Sequence, residues 1–305
     1  MKRYIIVRLL YTIVVILGVS ILVFVVTHMV GNPVNTMLPL QATEAERAAL
    51  RHQLGLDKPL FEQLTTFLGS MVKLDFGISW WQQIPALGIV INKMPATFML
   101  VSAAMILSIV VAIPLGILAA YKPGTFLDRF LTSASLIGLC LPPFWLGLML
   151  VLFFAVRLGW FFTSGYGTLR HLILPTITLA VVPMGHLAQI VRFSMAEQLN
   201  AQYAITARAK GASETAVLFG HALKNAATSI VTMGGSDFGR LLAGETAAVE
   251  VVFGWPGFGT LIVDTIGRQD FPLLQAEVFF VAVVICLINL IVDISYAYLD
   301  PRIKY

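Results

Sequence analysis

Four charged side chains, Asp237, Arg240, Glu245 and Glu250, stand within and at the end of a mostly apolar stretch at 226–249. A charge placed in hydrocarbon costs about 2.5–3.5 kcal/mol on insertion scales, so these groups are expected to face protein or water, not lipid. Asp237 and Arg240 lie three residues apart, close enough on a helix for carboxylate and guanidinium to pair. Two roles are open to the set. It lines a path for a polar solute, or it is a structural pair with two further residues near a span end. Gly235 and Gly239 on the same stretch form a G-x-x-x-G, a spacing that lets membrane helices approach closely.

Other chemistry is missing. No G-x-x-x-x-G-K-[ST] loop is present to cradle phosphates, no H-E-x-x-H and no nucleophile elbow. His171 and His186 have no His, Cys or carboxylate neighbours at ligand spacing, so no metal site is expected. Cys140 and Cys286 each lie inside a long apolar run and read as small hydrophobes. The chain is therefore expected to catalyse nothing and to hold no cofactor of its own.

The elements that must position these residues are membrane spans. Of 305 residues, 58% are hydrophobic and 12% charged, where a soluble chain carries roughly 25% charged. So little polar surface cannot cover a water-facing exterior, and the mean hydropathy of +0.86 agrees. The net charge of +4 follows from basic residues on the inner side of a membrane protein and gives no nucleic-acid signal. The apolar run 9–30 follows Lys2, Arg3 and Arg8. It is too long for a signal-peptide core and has no small-x-small cleavage site. At 1.5 Å per residue it reaches about 33 Å, enough to cross the hydrocarbon.

Five more spans are expected at 96–121, 131–156, 171–191, 226–249 and 276–299. Lys122, Arg129, Arg192, Arg208, Lys210 and Lys224 then share a side with both termini, whereas the short opposite loops hold Arg157, Arg170 and Arg268. Both termini are expected to be cytoplasmic, which requires an even number of spans. The expected architecture is an all-α membrane protein with six transmembrane helices, a small external domain between the first and second, and a cytoplasmic loop between the fourth and fifth. In the external segment, Thr43 and Glu46 form a capping box for a helix ending before Gly55. Trp80, Trp81, Trp160 and the Phe161–Phe162 pair fit interfacial aromatic belts.

The cytoplasmic loop 194–227 has helical composition. A first helix runs to about Lys210, with Arg208 and Lys210 complementing its dipole and Gly211 at the left-handed position after its end. Ser213 then caps a second, short helix, with Glu214 at its positive end. The expected form is a compact helical knob at the inner face.

This loop resembles the coupling loop of bacterial ABC importer permeases of the dipeptide, oligopeptide and nickel group. Their pattern, roughly D-Y-V-R-T-A-R-A-K-G and then R-H-A-L-R-N-A, is matched by Tyr203, by Thr206-Ala207-Arg208-Ala209-Lys210-Gly211 and by His221-Ala222-Leu223-Lys224-Asn225-Ala226. Further matches run the length of the chain. They include Leu54-Gly55-Leu56-Asp57-Lys58-Pro59, Pro143-Phe144-Trp145-Leu146-Gly147, the stretch Phe253-Gly254-Trp255-Pro256-Gly257-Phe258-Gly259, and Asp300-Pro301-Arg302. The chain departs from the pattern at Gln189, Ile205 and Gly220, where the family often has Arg, and at Ser229, where it has Pro.

The resemblance implies a permease subunit of an ATP-driven, binding-protein-dependent importer. Residues 1–30 would be an anchor helix, 31–95 an extracytoplasmic segment and 96–305 the transmembrane domain. Ala207, Arg208, Lys210, Gly211, Glu214, Phe219 and His221 would couple to the ATPase, and Asp237, Arg240, Glu245 and Glu250 would line the path. Its partners would be a second related permease, two cytoplasmic ATPases that bind the ATP and magnesium, an extracytoplasmic solute-binding protein and the lipid bilayer. Peptides are the expected cargo, with nickel chelates, glutathione or another small solute as alternatives. A stand-alone channel or an intramembrane enzyme is the alternative from another class, although neither a repeated pore-lining face nor a catalytic pair is evident.

Overall fold

The computed structural model describes residues 2–39 and 41–299. Among these the regular structure is helical, joined by turns and loops, with one isolated β-bridge between Ile78 and Pro85. In order the helices are α1 (Lys2–Val30), α2 (Pro33–Met37), α3 (Glu44–Gln53), α4 (Leu60–Val72), α5 (Ala86–Tyr121), α6 (Phe126–Cys140) and α7 (Pro143–Leu150). They continue as α8 (Leu169–Leu199), α9 (Gln202–Ala209), α10 (Leu223–Arg240), α11 (Ala247–Phe253), α12 (Phe258–Arg268) and α13 (Phe271–Leu299). Wider π-type turns occupy Val151–Arg157, Ala216–Ala222 and Leu241–Glu245.

Four helices are long and apolar enough to cross a membrane, or up to six if each of two bent helix pairs is one span. The expected spans and these six do not coincide throughout. The stretch 131–156 is not straight: α6 and the following helix meet at 99°. Pro143 opens α7 and Leu141 is extended at ψ 123°, because prolines remove backbone donors and push the preceding residue out of the helical region. The stretch 226–249 breaks as well, at Gly244 with φ 132°. α10 carries Lys224, Asp237 and Arg240 and is not among the apolar helices; the second bent pair is α11 with α12. The span expected at 96 begins ten residues earlier, at Ala86. Asp300-Pro301-Arg302 lies outside the described residues.

The chain divides into two compact units, Met1–Pro95 with Gly257–Val284, and Ala96–Pro256 with Ile285–Tyr305. In the first, α3 has the expected capping box. The Thr43 hydroxyl accepts from the Glu46 amide at 3.3 Å, and Glu46 accepts from the Thr43 amide at 2.8 Å. The carboxyl of Glu46 is held below its ordinary value by these Thr43 hydrogen bonds. Gly55 at φ +68° closes the helix. Buried Asp270 accepts from the Ser79 hydroxyl at 2.5 Å and from the amides of Trp81 and Leu273 at 3.3 Å. One carboxylate thus caps α13 and anchors the loop before α5. Trp81 donates its indole N–H to the Arg268 carbonyl, with the Arg268 guanidinium 5.3 Å from its ring.

In the second unit α8 is central, packing on α6, α7, α10 and α11. Small residues permit it. A Cβ on Gly116 would lie 2.7 Å from Val191, and one on Gly185 would lie 3.0 Å from the Ser135 carbonyl. Asp128, 4% exposed, holds Arg192 of α8 through bonds of 2.6 and 3.1 Å and accepts the Gly124 amide. The glycine pair on α10 is only half engaged: a Cβ on Gly235 would collide with Val292, whereas Gly239 faces open space.

Candidate functional site: a braced hairpin and a buried polar cluster

Both candidate sites belong to the second unit. The loop after α8 differs in two respects from the expected helix, corner and short helix. Its first helix is not continuous with the fourth span: α8 stops at Leu199, and α9 restarts at Gln202 after an extended Ala201. Its second helix is not short. Helical structure starts at Glu214, passes through the wide turn Ala216–Ala222 and runs directly into α10. The hairpin therefore joins α10 without an intervening loop.

The corner between them has the expected chemistry. Gly211 sits at φ +83°, its amide bonds the Arg208 carbonyl at 2.9 Å, and the Ala212 amide bonds the Ala207 carbonyl at 3.1 Å. These are the two bonds of a Schellman ending, which needs a residue without a Cβ penalty at the left-handed position. Ser213 caps the next helix by accepting the Ala216 amide at 3.3 Å. Arg208 braces three segments. It donates to both carboxylate oxygens of Glu214 at 2.9 and 3.3 Å and to the terminal Leu199 carbonyl of α8 at 3.0 Å. Fully buried Ala204, Val217 and Ala222 form the hairpin's small core. Lys210, Gly211, Phe219 and His221 are exposed, Phe219 at 56%, and Ala207 is half-buried. The proposed coupling residues thus divide into a brace, Arg208 with Glu214, and an outward face.

The second site joins α8 and α10. Asp237 is 1% exposed, and its Oδ1 accepts from the Arg240 Nη2 at 2.8 Å and lies 3.0 Å from the His186 Nδ1. Arg240 Nε lies 3.4 Å from Glu245 Oε1, and both side chains are partly exposed, at 41% and 48%. The second Asp237 oxygen has no partner. Three of the four charged residues of the sequence therefore come together. Glu250 does not join them: it is fully buried and accepts the Thr97 hydroxyl at 2.6 Å, tying α11 to α5. His186 is the residue that sequence spacing misses, because its partner is 51 positions away.

The cluster lies at one end of a polar stripe that sequence reading also missed. Asn225, Ser229, Thr232 and Ser236 of α10 are all exposed. Steps of four, three and four residues put them on one helical face, pointing towards the turn that bears Arg240. The signal was present as a polar period of 3.6 within an otherwise apolar run.

A helical chain with spans long and apolar enough for a membrane, a polar-faced helix and a braced hairpin has the parts of a membrane transport subunit. Comparison with known proteins places it: the chain belongs to the family described as binding-protein-dependent transport system inner membrane component, whose model matches residues 112–305, with the family's N-terminal model matching 1–112. It is 38% identical over 317 residues to the oligopeptide transport system permease protein AppB of Bacillus subtilis (strain 168), with both chains covered completely. It is 39% identical over 314 residues to the probable peptide ABC transporter permease protein y4tP of Sinorhizobium fredii, and 38% identical over 306 residues to the glutathione transport system permease protein GsiC of Escherichia coli (strain K12). Both chains are again covered completely. Among solved structures, an inward-facing conformation of the MetNI methionine ABC transporter matches with a TM-score of 0.60 at 17% identity. That match covers 70% of this chain and 96% of the other, and carries the fold alone.

Proposed function

We propose that this permease subunit forms half of the translocation path of an ATP-driven importer of short peptides. A second related permease completes the path, two cytoplasmic ATPases drive it and an extracytoplasmic binding protein delivers the cargo. The observation that carries this reading is the exposed polar stripe of α10 with Asp237, Arg240 and Glu245 at its end. Inside a bilayer such a face requires water or protein opposite it. Hydroxyl and carboxamide groups facing a half-exposed guanidinium and carboxylate suit a zwitterionic solute. The relatives named for oligopeptides, peptides and glutathione, itself a tripeptide, support that cargo class.

The hairpin supplies the drive. Phe219, His221 and Lys210 form the face that docks on an ATPase, the Arg208–Glu214 brace makes the knob move as one body, and the helical run from Glu214 passes the movement to α10. Both termini lie in the cytoplasm, and 31–95 lies outside with the binding protein. Residues 1–30 serve as an anchor and 96–305 as the transporting domain. The test is affinity capture of the chain from its native membrane, then ATP-dependent uptake of a labelled tripeptide by the reconstituted assembly. Recovery of a second permease and ATPases, with uptake that needs the binding protein, is expected. Recovery of the chain alone under mild solubilisation would overturn the proposal.

A further inference from the structure

The first unit contains a cavity of about 900 Å³ that the path and the hairpin leave unused. It opens among the C-terminal end of α1, helices α3 and α4, the 75–85 loop and the start of α13. Its floor is aromatic. Phe24, Phe67, Phe76 and Phe271 are each more than nine-tenths buried. The ring of Phe67 lies 5.6 Å from that of Phe24 and 6.5 Å from that of Phe76, and Trp80 lies 5.3 Å from Phe271. Its rim is polar, with exposed Gln53, Lys58 and Asp75. In its wall sits Gln275, 8% exposed, whose carboxamide makes no hydrogen bond to any described residue.

The Gln275 carboxamide atoms are not sealed off but open to the cavity, and an occupant that displaced water there without pairing them would leave the group unmet at a cost of about 1–3 kcal/mol. A carboxamide offers two donors and an acceptor together, so its natural complement is another amide. A volume of this size falls in the range of small-molecule sites, about 300–1,000 Å³, in which an apolar lining with a few placed polar groups sets orientation.

We propose that this cavity binds a short peptide with a large apolar or aromatic side chain. The aromatic floor takes the side chain, and Gln275 pairs a backbone amide. An acyl chain would fill the floor but leave Gln275 unpaired, whereas a peptide unit presents N–H and C=O at matching spacing. Lys58 and Asp75 place one charge of each sign at the rim, which suits the two ends of a zwitterion. Lys58 also bonds Glu62 at 2.8 Å and Asp75 accepts the Gly77 amide at 3.0 Å, so both are held in place. Resting on the peptide reading above, the cavity would be a receiving site on the binding-protein side, separate from the polar cluster.

The test uses the assembled importer in lipid nanodiscs, titrated calorimetrically with Ala-Phe-Ala and Ala-Gly-Ala. Saturable binding of Ala-Phe-Ala is expected, with Ala-Gly-Ala at least about tenfold weaker, since one missing methylene in an apolar pocket already costs about 10–200-fold. Gln275→Leu and Phe67→Ala should each weaken Ala-Phe-Ala about tenfold, read on complex recovered fully assembled. A photoreactive analogue bearing benzoyl-phenylalanine at the central position, used on the unaltered complex, should crosslink to the segments holding Phe67, Phe76 or Phe271. Crosslinks elsewhere, affinity indifferent to both variants, or a cavity filled by phospholipid that peptide does not displace would each overturn the site. Uptake of Ala-Phe-Ala in those cases would leave the cargo reading intact. Absence of uptake for any peptide would sink that reading itself.

Discussion

Gly211 holds a φ of +83°, where a Cβ lies too close to the following carbonyl at a cost of about 1–2 kcal/mol. The corner it makes sets the angle between α9 and the helix that feeds α10, so Gly211→Leu should lower transport-stimulated ATP hydrolysis severalfold. Gly220→Ala, nine residues on in open helical surroundings, should leave it unchanged. Both rates can be read on the reconstituted complex, and equal rates in the two variants would remove the corner from the coupling mechanism. Asp237 and Arg240 invite a paired change. Removing one partner alone leaves a buried or half-buried charge unpaired, which is strongly destabilising. Asp237→Asn with Arg240→Gln removes both charges together. If these groups line the path, peptide uptake falls while the yield of assembled complex holds; normal uptake would take them off it. Much at this scale was legible beforehand. The Gly211 corner, the Ser213 cap and the Asp237–Arg240 pair depend on neighbours within a few residues, where rules of helix ends and helix faces apply. The addition of His186 and the withdrawal of Glu250 to Thr97 depend on how α8 meets α10 and α5 meets α11, and no local spacing encodes that.

Among the elements, α10 shows how far a motif alone can be trusted. Gly235 and Gly239 have the same spacing relation to each other on paper, yet only Gly235 lies against another side chain, Val292 of α13. Gly235→Leu should therefore lower the thermal stability of the detergent-solubilised chain by several degrees, and Gly239→Ala should not. Equal shifts in unfolding temperature would contradict this packing. The α3 capping box allows a pH prediction. Glu46 has its folded-state pKa depressed below 4.5 by the Thr43 hydrogen bonds. Its contribution is thus fully present above the unfolded value and lost as pH falls through the folded one. Amide exchange of Glu46 and Arg47, corrected for intrinsic rate, should accelerate below about pH 4. Glu46→Gln, which keeps an acceptor without the titration, should flatten that dependence. The helices themselves were legible from apolar runs and caps, but their breaks were less so. Pro142–Pro143 stood in plain view inside an apolar run whose length suggested one straight span. The turn at 216–222 leaves no mark in hydropathy, since a π-type turn keeps the helical backbone and shifts only the register, and the break at Gly244 leaves only a glycine among several.

For the whole molecule the decisive quantity is which side of the membrane each region faces. Lys2, Arg3 and Arg8 stand at the start of α1, Lys122 follows α5, and Arg208, Lys210 and Lys224 sit in or after the hairpin, so the positive-inside rule predicts a cytoplasmic hairpin. The same rule tolerates the basic residues of the 31–95 segment, because long segments translocate largely regardless of charge. Four clear spans with two bent pairs give six crossings if each bent pair crosses once and five if only one of them does. A re-entrant pair would return the chain to the side it left and invert everything that follows. Single cysteines settle this in a background lacking Cys140 and Cys286. Lys58→Cys, exposed in the first unit, should react in intact spheroplasts with a membrane-impermeant maleimide. Phe219→Cys, on the outward face of the hairpin, should react only after permeabilisation. Gly159→Cys, in the turn between α7 and α8, should behave like Lys58→Cys if α6 and α7 together make one crossing, and react only after permeabilisation if they fold back. In the first case the hairpin that leads into α10 meets a cytoplasmic motor, as import requires. In the second, with Phe219→Cys labelled from outside, the hairpin could not meet an ATPase, and the coupling mechanism would fall with it.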